Sequence, residues 1–198
     1  MNKIIFTDLD GTLTLKDTYT KFIFKNLQVG VVLKNLFTLL LMALKHAFKI
    51  INDDDVKKTT FGMFFRAYDT NANIDAFVKE IPWNTPVLKQ IEQKRTEGYT
   101  IIIVTASPDV YVKHICNYLG YDGFISTKTL DDGAYLTGAF DGEVCNFEQK
   151  PKRIAEFLNG KTPEHTIGYG NSSGDYAMLR FCDESYFVNK LNIKRFEK

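Results

Sequence analysis

An α/β fold, a doubly wound parallel sheet carrying an all-helical insertion, is what this sequence predicts, and three observations predict it. A short apolar run at Lys3–Thr7 stops at an acidic residue, Asp8. Residues 17–80 then show helical periodicity, rich in Phe and Leu, with no strand alternation. From residue 85 onward, helical segments and short β-branched runs take turns. Strands separated by helices need crossover connections, and crossovers produce a parallel sheet covered on both faces.

Each element has a local reason. Lys3–Thr7 reads as a buried strand, and Gly11 turns the chain after it. Pro82 closes the helical block. Residues 85–98 read as a helix stopped by Gly98. Residues 100–104 (Thr-Ile-Ile-Ile-Val) form a continuous apolar run, the mark of a strand buried on both faces. Ser107 and Pro108 open a helix that ends near Gly120. Residues 129–140 read as a hairpin around Asp131-Asp132-Gly133. Then follow a helix over 148–158, a strand over 166–169, a helix over 174–181 and a last strand over 186–188. The helical block lies between the first strand and the others. The expected organisation is therefore a core of residues 1–16 and 83–198 with an insertion at 17–82.

Bulk composition narrows the function classes. The 198 residues suffice for one α/β domain with a small insertion, and 44% apolar residues allow a real core. Lys and Arg total 25 against 24 Asp and Glu, a net charge of +1, which gives no reason to expect a nucleic-acid partner. Cys116, Cys145 and Cys182 are too widely spaced for a metal knuckle and suit a reducing cytoplasm. The N-terminal residues do not have the pattern of a secretory signal. A cytoplasmic location, with peripheral membrane contact through the insertion as an added expectation, follows from these features.

In an open α/β sheet, ligands sit beyond the carboxyl ends of the strands. Asp8 and Asp10, Thr105, Lys150, and Asn171 with Asp175 all fall at or just past such ends. A carboxylate at Asp8 can attack phosphorus and divide one hard displacement into two. Asp10, two residues on, can protonate the leaving oxygen and later deprotonate water. Gly11 and Thr12 lie in a turn whose N–H groups can face phosphate oxygens. Thr105 can donate its hydroxyl, and the backbone at Ala106, before the next helix, adds donors. Lys150 can neutralise charge that develops during transfer. Carboxylate, amide oxygen and water together suit Mg²⁺.

These motifs carry a resemblance. Asp8-Leu9-Asp10-Gly11-Thr12-Leu13-Thr14 resembles the first motif of the haloacid dehalogenase superfamily, in its phosphoserine-phosphatase-like branch. Ile101 to Pro108 resembles the second motif, Cys145 to Lys150 the stretch delivering the motif lysine, and Gly168 to Asp175 the fourth. The resemblance implies a Rossmann-like core, a helical cap that excludes water, and Mg²⁺ as cofactor. It implies Asp8 as nucleophile and metal ligand, and Asp10 as general acid/base with a metal-binding carbonyl. Thr105 and Lys150 would hold the phosphoryl group. Asn171 and Asp175 would serve the metal, the latter directly or through its water shell. Asn171 departs from the Asp common at that position, which implies weaker metal affinity. The implied reaction is phosphomonoester hydrolysis through an aspartyl-phosphate. A phosphotransferase on the same intermediate and a weakened phosphate-binding or regulatory protein are the alternatives.

Three features concern the substrate. Asp17 stands where phosphoserine phosphatases carry a substrate-binding Glu, and it equally suits an N-cap. Arg66 could reach a substrate anion or be a solvated surface group. Residues 21–49 hold five lysines (21, 25, 34, 45 and 49) and no Asp or Glu. An apolar helical hairpin packed on itself and the core explains this block. An interfacial surface admitting a lipid headgroup phosphate, as in lipid phosphatases resembling phosphatidylglycerophosphatase C, also explains it. The apolar run between Lys34 and Lys45 is too short to span a bilayer, which takes about 20 residues. Both a small phosphorylated metabolite and a lipid phosphate fit as substrate.

Overall fold

The computed structural model describes residues 3–197, which divide into two compact units. The first takes in the chain to Thr18, Ile74–Thr127, and the chain from Glu143. Its sheet has β1 (Lys3–Thr7), β2 (Tyr99–Pro108), β3 (Gly123–Thr127), β6 (Thr166–Gly170), β7 (Glu184–Asn189) and β8 (Asn192–Arg195). The spatial order is β3-β2-β1-β6-β7-β8, parallel except for the terminal β7–β8 pair. The predicted parallel α/β sheet is therefore present. Successive strands run outward from β1 to β2 and β3, then resume on its other side at β6, which puts the topological switch beside β1.

Burial explains why the central strands read as unbroken apolar runs. β1 lies between two parallel neighbours, with Ile5 and Phe6 fully buried, and Ile101–Val104 of β2 are buried as well. Helices α4 (Asp75–Lys79), α5 (Thr85–Thr96), α6 (Asp109–Leu119), α7 (Gln149–Leu158) and α8 (Tyr176–Phe181) belong to this unit. Phe6, Val104, Ile154, Met178 and Leu179 meet in one core cluster. Gly120 ends α6 in the left-handed conformation, as expected. Where the chain leaves for the insertion and returns, Leu15 N–H donates to Pro82 C=O and Asn84 N–H to Leu13 C=O. Those two bonds tie the neck.

The second unit comprises Tyr19–Asn73 and Lys128–Gly142. It holds most of α1 (Thr18–Lys25), α2 (Val29–Ala47), α3 (Asp53–Phe64), and the hairpin β4 (Thr129–Asp131) and β5 (Leu136–Phe140). The sequence pattern places this hairpin in the core. The structure joins it to the helical block instead, because the Phe61 and Phe140 rings pack 4.5 Å apart. Backbone bonds between residues 67–70 and 134–136 add to the attachment. Phe22 stacks on Phe65 at 5.0 Å, completing an aromatic centre. The expected boundary at residue 82 also moves, since α4 groups with the sheet.

Helix α2 differs from what was expected of it. It runs unbroken through Lys34 and Asn35 for 19 residues, and its length and composition are those of a membrane-crossing helix. It packs against α3, yet none of its residues is buried.

Candidate active site

Asp8 is where β1 runs out. Its N–H still donates to Tyr169 C=O on β6, so the backbone is fixed by the sheet while the side chain stands beyond the strand end. Thr14 N–H donates back to Leu9 C=O and closes the turn that follows. Gly11 sits in that turn at φ +81°, and a Cβ there would lie 2.1 Å from the Asn171 side-chain nitrogen. Only glycine lets the turn rest against Asn171. Gly170 answers a similar demand at the end of β6, where a Cβ would be 2.5 Å from that of Asp175.

One ammonium group ties the site together. Lys150, on the first turn of α7 and 1% exposed, donates to Asp8 Oδ1 at 2.7 Å, Asp175 Oδ1 at 2.6 Å and Val104 C=O at 2.9 Å. All three of its protons are thereby used. Lys152, the other candidate in that stretch, is exposed. Asp175 Oδ2 accepts from Asn171 N–H, Ser172 N–H and Ser172 Oγ, each at 3.0 Å. The Thr12 hydroxyl lies 3.2 Å from Asp8 Oδ2 and 3.4 Å from Asn171 Oδ1. Asp8, Thr12, Lys150, Asn171 and Asp175 thus form one connected network, with Gly11 against it.

A second network surrounds Asp10. Its Oδ2 accepts from Ser107 Oγ at 2.6 Å, and its Oδ1 accepts from both the N–H and the hydroxyl of Thr18 at 2.6 Å. Ser107 N–H donates to Thr105 Oγ1 at 3.1 Å, which holds the buried Thr105 beside this group. Ala106 C=O accepts from Thr127 Oγ1 at 2.8 Å. Sequence reasoning missed Ser107 and Thr18. Ser107 had a visible signal, a hydroxyl two residues past Thr105, but it was read only as a helix opener. Asp17 is exposed immediately before α1, and its charge acts on Asp10. Arg66 belongs to the other unit, exposed just past the end of α3.

The electrostatics are those of an under-compensated anionic site. Burial, then the neighbouring Asp175 carboxylate, pushes the Asp8 carboxyl up to about 7 against the pull of Lys150. Burial and then the Asp17 charge raise Asp10 as well, opposed by Ser107 and Thr18. Burial would raise Asp175 too, but Lys150 and the N–H donors outweigh it and hold it low. Burial disfavours the Lys150 ammonium, and the Asp175 and Asp8 carboxylates overcome that and keep it charged. Three carboxylates against one ammonium leave room for a divalent cation. Asp8 Oδ2 and Asn171 Oδ1, which share the Thr12 hydroxyl, are the hard oxygen donors Mg²⁺ takes. Among the described residues no group of three His, Cys, Asp or Glu side chains forms a metal cage. A cation here would lean on amide, carbonyl and water oxygens. Both Asp175 oxygens are engaged by protein donors, so the arrangement favours Asn171 over Asp175 as a direct ligand.

The sequence pattern of the haloacid dehalogenase-like hydrolases matches residues 5–180. The chain belongs to this family. Curated relatives include protein CicA of Caulobacter vibrioides, 40% identical over 92 residues, which are 46% of this chain and 40% of CicA. Phosphoserine phosphatase of Methanocaldococcus jannaschii is 22% identical over 129 residues, 61% of each chain. The chain therefore spans about two fifths of CicA and three fifths of that phosphatase. Among solved structures, a Bordetella pertussis Tohama I protein of unknown function superposes with a TM-score of 0.76 at 17% identity. The match covers 93% of this chain and 89% of that one. A phospho-aspartyl intermediate analogue of phosphoserine phosphatase gives 0.66 at 18% identity, covering 93% and 85%. Such identities establish a shared fold, and it is the hydrolase family's fold.

Proposed function

We propose that this hydrolase is a Mg²⁺-dependent phosphomonoesterase working through an aspartyl-phosphate on Asp8. The observation that carries the reading is the Asp8 carboxylate, fixed at the sheet's carboxyl end between the Lys150 ammonium and the Thr12 hydroxyl. Asp8 attacks phosphorus as the bond to the leaving alcohol breaks, and Asp10 gives its proton to that oxygen. Burial keeps Asp10 protonated to a higher pH than an ordinary carboxyl, which suits it as the acid. The Asp10 carboxylate then takes a proton from water, and the water displaces Asp8. Lys150 offsets charge on the transferring group, with hydroxyl and N–H donors around Thr105 and Thr12 beside it. Bound Mg²⁺ would supply Lewis-acid stabilisation of the phosphoryl oxygens, held by Asp8, the Asp10 carbonyl and Asn171.

The substrate class is a small phosphorylated metabolite or a lipid headgroup phosphate, and the phosphoserine phosphatase relative supports a phosphomonoester. The test is hydrolysis of p-nitrophenyl phosphate with and without Mg²⁺, for wild type and Asp8→Asn, together with mass spectrometry of quenched enzyme. Metal-dependent release and a phosphoryl adduct on Asp8 are expected. Release that Asp8→Asn leaves intact would refute the assignment.

A further inference from the structure

Helix α2 exposes a stripe that a soluble surface would not be expected to keep. Leu33, Phe37, Leu40 and Leu44 recur at helical spacing on one side and are 67%, 79%, 57% and 56% exposed. Val29 and Leu36 widen the stripe, and Phe48 and Ile50 continue it past the helix end. The half-buried residues Val31, Val32, Asn35, Leu39 and Met42 occupy the other side, which accounts for the contact with α3. A contiguous apolar face of this kind marks an interaction surface.

We infer that α2 lies along the surface of an anionic lipid bilayer, with this stripe among the acyl chains and its lysines at the lipid phosphates. Charge favours that occupant. Lys34 and Lys45 each follow a stripe residue and stand three helical turns apart, so both line the same flank. Lys25 and Lys49 are exposed on either side of the helix, and residues 18–52 carry five lysines and no acid. The whole chain nets +1, so its remaining surface is net negative and the positive charge is concentrated here. An in-plane helix with Leu and Phe on one face and Lys at the edge is the standard interfacial arrangement. A second copy of the chain is disfavoured, because pairing this face with itself would bring the two sets of lysines together.

Topology excludes the alternative of crossing the membrane. β1 precedes α2, β2 and β6 follow it, and β1 is hydrogen-bonded to both. A single crossing at α2 would put β1 on the opposite side from its partners. A helix of about 28 Å could reach across a bilayer, but here it must lie flat.

The experiment is flotation of the full chain with vesicles of pure phosphatidylcholine, or of phosphatidylcholine with about one third phosphatidylglycerol. The bound fraction should rise about tenfold on the anionic vesicles and fall at high salt. F37E/L40E should lose that binding while keeping wild-type turnover of p-nitrophenyl phosphate and the wild-type circular dichroism spectrum. K34E/K45E, which leaves the stripe intact, should lose the preference for anionic vesicles. Failure to float, equal binding to neutral vesicles, or F37E/L40E floating like wild type would overturn the inference. So would a wild-type dimer that F37E/L40E dissociates. The flotation outcomes do not depend on the phosphatase reading, because lipid binding is measured without turnover.

Discussion

Lys150 and Phe37 occupy opposite extremes of the same chain. The lysine is 1% exposed and the phenylalanine 79%, the reverse of what their side chains favour in water. At the end of the sheet, charge is buried and kept there by a full set of hydrogen bonds. Along α2, hydrocarbon is exposed without any partner from its own fold. The first arrangement is internally satisfied but electrically lopsided, and the second is incompletely packed. Under the two proposals above, a cation and a phosphate would complete the first and a lipid surface the second.

This contrast can be broken at the sheet first. Asp8→Asn should reduce turnover by at least about a thousandfold while the circular dichroism spectrum stays unchanged. A smaller loss would separate the buried cluster from chemistry. Lys150→Met removes the one cation between two carboxylates and should cost about 3–5 kcal/mol. That loss should lower the melting temperature by roughly 10 °C, as followed by calorimetry.

Acidity sharpens the comparison further. With chelator present, the Asp8 carboxyl sits at about 7 in the fold rather than 3.8, so the folded chain holds that proton more tightly than the unfolded one. Its stabilising contribution is complete below about pH 4 and is lost as pH rises through about 7. Asp10, also raised, acts in the same sense, whereas Asp175, held low, loses its contribution only in acid. The stability margin of metal-free wild type over Asp8→Asn should therefore shrink between pH 5 and pH 7, measured by urea denaturation, and Mg²⁺ should restore it. Asn171→Asp adds a negative charge at the amide donor and should tighten Mg²⁺ binding about tenfold in isothermal titration. Smallest of all, Phe37→Ser should change stability by less than about 0.5 kcal/mol, because the ring it removes supports nothing in the fold.

The sheet and the Lys150 network were largely readable beforehand, and the reason is local. Ile4-Ile5-Phe6 before Asp8 reads as a short buried strand ending in a polar group, and Lys3–Thr7 is the strand observed. β3 was not read, because Gly123-Phe-Ile-Ser-Thr is short and only partly apolar, and its pairing with β2 supplies the order. β8, a four-residue strand paired antiparallel at the sheet's edge, escaped for the same kind of reason. The hairpin's place with the helical block rests on Phe140 meeting Phe61, a contact between residues far apart in sequence. Ser107 and Thr18 escaped because neutral hydroxyls are common, and nothing short of tertiary placement aims them at Asp10. The exposure of α2 was ambiguous in principle, since an apolar helix reads alike whether its face meets protein or lipid.

The position of β1 in the middle of the sheet also sets a schedule for synthesis. Ile4 pairs with Thr166 on one side and with Thr100 on the other. At about 5–20 residues per second on the ribosome, the strand that ends at Asp8 waits roughly 10–30 s for its second neighbour. Helix α2 emerges early in that interval, before any of the other five strands. A nascent chain would thus present its hydrocarbon face before its catalytic centre was complete.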